Sequence, residues 1–147
     1  MADHIRKQIR DAAATALTGL TTTGSNVFPS RNHRTRPGDL PGLLIYTKDE
    51  DSAPDNFVRP RDLSRELELI VVGRAKDNAT LDDTLDLICA EVEAAIGNST
   101  LSSLVKDLIL ETTVIEFDGD GDAEHGDAVM TWRAQYRTAE NDPTAAT

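Results

Sequence analysis

The alternation in residues 128–137 constrains this chain more than any other stretch. Ala128, Met130, Trp132, Ala134 and Tyr136 share one parity, and Val129, Thr131, Arg133, Gln135 and Arg137 share the other. Successive side chains of a β-strand point to opposite faces, so the run predicts a strand with one packed and one wetter face. Residues 108–117 are as β-prone but less regular. Leu108, Leu110 and Val114 share one parity; Ile109, Ile115 and Phe117 share the other. Either this strand is covered on both sides, or a bulge near Thr112 and Thr113 changes its phase. Together the two runs predict a long hairpin at the centre of a sheet, with an acidic tip at residues 118–127.

The rest of the chain supplies what packs on that hairpin. Ile5, Ile9, Ala12, Ala13, Ala16, Leu17 and Leu20 recur at spacings of three and four, which predicts a helix over residues 4–20 with Asp3 as its N-cap. Val27 and Phe28 suggest a short strand, followed by a basic loop at residues 31–41. Residues 43–47 read as a buried strand. Residues 48–62 are polar, hold two prolines, and read as a long loop without structure of its own. Along residues 65–75, Leu67, Leu69 and Val71 form one face. The other face turns from Glu66 and Glu68 to Ile70 and Val72, so part of it is expected to be covered. Residues 80–96 give the second helix, with Thr80 and Asp83 spaced like a capping box and an apolar stripe from Leu81 to Ile96. Residues 139–147 are expected to be a flexible C-terminal tail. The expectation is one α+β domain over residues 1–138. Its mixed, largely antiparallel sheet has four to five strands packed by two helices, in the order α-β-β-β-α-β-β.

Charge is plentiful and uneven. Residues 1–37 hold six Lys/Arg against two acidic residues, and residues 38–147 hold nine against twenty-four, so the net −11 is the sum of +4 and −15. So acidic a surface argues against phosphate-driven binding to DNA, though not against DNA sliding past. Cys89 is the single cysteine, which rules out an intrachain disulfide, and it falls on the apolar stripe of the second helix. No apolar run reaches the roughly 20 residues of a membrane span, and no signal peptide is visible.

Catalytic signatures are missing from the sequence. His4, His33 and His125 are scattered, and no G-x-S-x-G, Walker loop, dinucleotide fingerprint or Cys/His metal spacing occurs. The acidic tip is the one tempting site. Asp118, Asp120 and Asp122 are spaced like the first ligands of a calcium loop. However, Ala123 stands where the sharp turn wants Gly, and Val129 where a bidentate Glu is needed. A solvated hairpin loop is the favoured reading. No metal, cofactor or catalytic residue is therefore expected. The candidate assembly-interface residues are Arg31, Arg34 and Arg36 of the basic loop, Asp49, Glu50 and Asp51 of the polar loop, and Asp118, Asp120 and Asp122 of the tip.

The order of features carries a resemblance. An Arg6-Lys7-x-Ile9-Arg10-Asp11-Ala12 helix leads to Val27-Phe28 and the Arg31 loop. Then come the run from Leu40 to Thr47, the strand at 65–72, Leu81-Asp82-Asp83-Thr84-Leu85-Asp86 opening the second helix, Leu104-Val105-Lys106-Asp107-Leu108, and finally Tyr136-Arg137-Thr138. Over residues 5–138 this resembles the tail terminator (minor tail protein U-like) family of long-tailed bacteriophages and related prophages. The resemblance implies a small α+β structural subunit that is not an enzyme. It implies a homo-oligomer, a hexameric ring, at the head-proximal end of the tail. Such a ring would cap the tail tube protein, stop tube polymerisation and dock the neck/head-completion protein. Genomic DNA would pass through the lumen without specific binding. Its place would be the virion, after assembly in the host cytoplasm. A neck or head–tail connector is the near alternative, and a calcium-binding module the distant one.

Overall fold

The computed structural model describes residues 2–33, 36–76, 78–118 and 125–147. Helix α1 (Ile5–Leu17) and strand β1 (Val27–Phe28) are followed by a 3-10 turn (Pro37–Asp39). Strands β2 (Gly42–Pro54) and β3 (Asp62–Lys76), helix α2 (Leu81–Ile96), and strands β4 (Asp107–Asp118), β5 (His125–Ala139) and β6 (Asp142–Ala146) complete the chain. The strands form one sheet in the order β1-β2-β3-β5-β4, and β6 pairs with β5 beyond the end of β4. Every pairing is antiparallel except β1 with β2. The α+β class and element order are those expected, with six strands among the described residues in place of four or five.

Both helices pack on one face. Ala128, Met130, Trp132, Ala134 and Tyr136 of β5 are all buried there, together with Leu67, Leu69 and Val71 of β3 and Leu43 and Ile45 of β2. Ile5, Ile9, Ala13 and Leu17 of α1 and Leu81, Leu85, Ile88, Val92 and Ile96 of α2 close over them. At Gly73 the helix comes very near the sheet: a Cβ there would sit 2.7 Å from Ile88 Cγ2. The opposite, helix-free face has its own small cluster, Leu44, Ile70 and Val72, with Tyr46 and Val129 beside it. The outer face of β3 is therefore covered in its second half, where the sequence changes from glutamate to isoleucine and valine.

Several expectations are corrected. The stretch expected as a 48–62 loop is mostly strand. β2 continues to Pro54 and β3 begins at Asp62, leaving residues 55–61 as the connection. A bulge between Thr47 and Glu50 shifts the register, so no single alternation spans this strand and its polar half looked unstructured. The 139–147 tail contains β6, held to β5 and to α1, where Gln8 Nε2 donates to the Thr144 carbonyl at 2.9 Å. β4 lies at the edge of the sheet, not its centre. It does carry a bulge, at Glu111, one residue before the expected place. The bulge swaps parity: Leu108 and Leu110 face the helix side before it, and Thr113, Ile115 and Phe117 after it. Among the described residues nothing covers either side of the distal half, where Val114, Ile115 and Phe117 are 48%, 44% and 66% exposed.

The helix starts also differ. His4, not Asp3, caps α1, its Nδ1 accepting the Arg6 N–H at 3.1 Å, while Asp3 binds Lys7. Thr80 makes no side-chain cap; its hydroxyl donates to Asn78 Oδ1 at 2.9 Å. Burial first, and then the Arg6 charge, hold the His4 pKa below its usual value. A depressed histidine pKa contributes stability above the unfolded value of about 6.5, and that stability is lost as pH falls through the window below it. Urea midpoints are therefore expected to drop between neutral pH and pH 5. His4→Asn, which keeps an acceptor but cannot titrate, should flatten part of that slope.

Candidate assembly surfaces

The two long edges of the sheet differ in chemistry. On the β1–β2 edge, Arg31 lies with its guanidinium 5.1 Å from the Tyr46 ring centroid and donates to the Thr47 carbonyl. The loop carrying it is braced from below. Phe28 and His33 stack with ring centroids 3.7 Å apart, and His33 Nε2 lies 3.0 Å from Asp39 Oδ2. The Arg36 backbone N–H donates to the same oxygen at 3.0 Å. These two hydrogen bonds, His33 foremost, hold the Asp39 carboxyl below its ordinary pKa. Arg36 and Lys48 are exposed, so this edge is basic in its upper part.

The acidic trio of β2 separates. Asp49 and Asp51 are exposed and line a shallow groove on the helix-free face with Glu66, Glu68, Glu111 and Arg133. Arg133 Nη1 reaches Glu111 Oε2 at 3.7 Å. Glu50 behaves differently. The bulge before it turns its side chain to the helix face, where only 6% of it is exposed. There it accepts from the Tyr136 hydroxyl and from Arg65 Nη1 at 3.3 Å, and Arg6 Nη1 stands 3.5 Å away. Arg65 Nε also donates to Thr138 Oγ1 at 3.1 Å. Burial, then the Glu50 hydrogen bond, push the Tyr136 phenol well above its usual range. This network ties β2, β3, β5 and the start of α1 together, and Glu50 is withdrawn as a surface contact.

The other candidates divide. Asp118 ends β4, in register with His125; Arg34, Asp120 and Asp122 lie outside the described residues. Asp127, read as part of the tip, belongs to β5. Its carboxylate takes both Arg74 Nε and Nη2, at 2.8 and 2.9 Å, and His125 Nδ1 lies 2.9 Å from Oδ1. The bidentate pair ties β3 to the start of β5.

Comparison with known proteins adds little. No family model matches the chain, and no curated protein matches it. Among solved structures, a chain from the virion of a native gene transfer agent particle is similar over 90% of this chain and 92% of its own, at 19% identity and a TM-score of 0.39. A likeness at that level says nothing about function.

Two surfaces escaped the sequence reading. One is the uncovered distal half of β4. The other is the β2–β3 connection, where Phe57 and Val58 are 90% and 78% exposed. The ends of this connection are joined: Arg137 Nε lies 2.7 Å from Asp55, Arg137 Nη2 lies 3.4 Å from Asp62, and the Asp55 N–H donates to the Asp62 carbonyl at 2.8 Å. Two adjacent apolar residues within a proline-bearing polar stretch were the available signal, since exposed apolar clusters mark contact sites.

Proposed function

We propose that this chain is a structural subunit of a phage-like particle, a tail terminator. In this reading a hexameric ring of it caps the head-proximal end of the tail tube, stops the tube from growing and offers its other face to a neck protein. It performs no catalysis. The observation that carries the reading is that the chain folds as the small α+β subunit which the order of features from Ile5 to Thr138 implies. The exposed Phe57 and Val58 of the β2–β3 connection suit an axial contact with the tube or neck protein. The helix-free face, with Asp51, Glu66, Glu68 and Glu111, suits a wall past which DNA moves without sticking.

Electron microscopy of particles produced without this chain tests the proposal. Overlong tubes without heads are the expected result. Tails of normal length beside unjoined heads would reject the terminator role and favour a connector.

A further inference from the structure

We propose that the β2 margin of the helix-free face is a docking site for a short segment of a different protein, one in which a carboxylate stands beside an apolar side chain. The site is independent of the terminator reading, since it is built from the surface of a single copy.

The first observation is a group of cations without anions. Elsewhere Arg6 and Arg65 share Glu50, Arg74 takes Asp127, Arg133 takes Glu111, and Arg137 takes Asp55 and Asp62. Arg10, Arg31 and Lys48 have no carboxylate in ion-pair reach among the described residues, although the chain holds 26 acidic residues against 15 basic. Two acids near them in sequence are already engaged. Asp39 holds His33 and the Arg36 N–H, and Glu50 is turned to the helix face. Arg10 Nε is buried with no hydrogen-bond partner.

The second is where these cations stand. The Arg31 guanidinium lies 5.1 Å from the Tyr46 ring centroid and gives one N–H to the Thr47 carbonyl. Its other N–H groups are unused and already positioned, which lowers the entropy lost on binding. Clefts of about 400 Å³ lie on both sides of Arg31 and share Tyr46. One is lined by Arg10, Pro29 and Asn32, the other by Lys48, Ile70 and Val129. The floor of the second is apolar and continues into the buried Leu44 and Val72. A carboxylate meets Arg31 and Lys48 there while its apolar neighbour covers the floor.

The third concerns what fits badly. Arg31 lies over the Tyr46 ring, so no base can stack on that side of it. Glu68 and Glu66 follow Ile70 on this face of β3, with Asp49 and Asp51 near them. A row of phosphates would run into those carboxylates, whereas one or two carboxylates can stay beside the cations. Small-molecule sites enclose most of their ligand. Both clefts are open, as suits a peptide lying across the surface.

Amide spectra of the isotope-labelled chain test the site, with acetyl-Asp-Phe-Asp-amide and acetyl-Asp-Leu-Asp-amide as probes and their Asn counterparts as controls, all at one pH. At millimolar concentration the Asp peptides are expected to shift amides around Arg31, Tyr46, Lys48, Ile70 and Val129. The Asn peptides should bind at least ~10-fold more weakly, as loss of a charge-assisted hydrogen bond implies. Arg31→Gln and Lys48→Gln should each weaken the Asp peptides, and Lys106→Gln, an exposed cation just before β4, should not. Lys48 has no side-chain partner among the described residues, so Lys48→Gln should melt with the parent. Equal binding of Asp and Asn peptides, or no shift at these amides, overturns the site. Shifts there from a single-stranded oligothymidylate and none from the peptides assign the cations to nucleic acid and overturn it as well. The same shifts on concentrating the chain alone would mean that its own copies fill the clefts, which also overturns it.

Discussion

Trp132→Asp is expected to abolish folding. Trp132 is 2% exposed, at the middle of β5, level with Leu69 on β3 and Leu110 on β4. Truncating a buried tryptophan costs about 3–5 kcal/mol. An unpaired carboxylate in that place adds several kcal/mol more, or must take up a proton. The sum rivals the roughly 5–15 kcal/mol that holds a domain of this size together. Circular dichroism should show no cooperative melt for the variant, while Trp132→Phe, which keeps an aromatic ring, should still melt. Equal melting of Trp132→Asp and the parent would contradict the placement of this parity on the helix face.

The inner face of β5 was legible because one signal governed it. From Ala128 to Tyr136 every second residue is apolar and every one of them is buried, so parity alone predicts the face. Both helices were legible for the same reason at their own period. β2 and β4 were not, because each holds a bulge. At Glu111 and before Glu50 the chain gains a residue relative to its partner, and the parity on one side no longer predicts the other. β4 was placed at the centre because it is apolar on both parities, which is also how an interior strand reads. Its exposed valine, isoleucine and phenylalanine show why the inference failed: hydrophobicity alone cannot tell a surface covered by the chain itself from one left exposed. Of the interface candidates, Arg31, Arg36, Asp49 and Asp51 are on the surface. The misreading of Glu50 followed from treating three adjacent carboxylates as one solvated run. A warning was present on β3, where Arg65 shares the parity of Leu67, Leu69 and Val71. A cation on a buried parity needs an anion, and sequence distance hid which one.

That anion supports the second large effect. Glu50→Ala is expected to cost about 3–5 kcal/mol, the usual penalty for breaking a buried pair by removing one partner. The loss arises mainly from what remains: Arg65, whose side chain is 10% exposed, would keep its charge without Glu50 beside it. Tyr136, 1% exposed, would lose its acceptor. Urea titration should show the shift, with Asp49→Ala and Asp51→Ala remaining within about 0.5 kcal/mol of the parent as surface changes do. Equal effects at all three positions would refute the inward turn made by the bulge. Glu50→Leu combined with Arg65→Met should recover most of the loss, because two apolar side chains leave neither charge stranded. Alkaline pH offers an independent check. A tyrosine whose folded pKa is raised contributes stability below its unfolded value of about 10, and that stability is lost as pH climbs above it. The parent should weaken past that point, and Tyr136→Phe, having no proton to lose there, should weaken less steeply. If instead Tyr136→Phe follows the parent through that range, the phenol is not held neutral by burial and by Glu50, and the network does not anchor this end of the sheet.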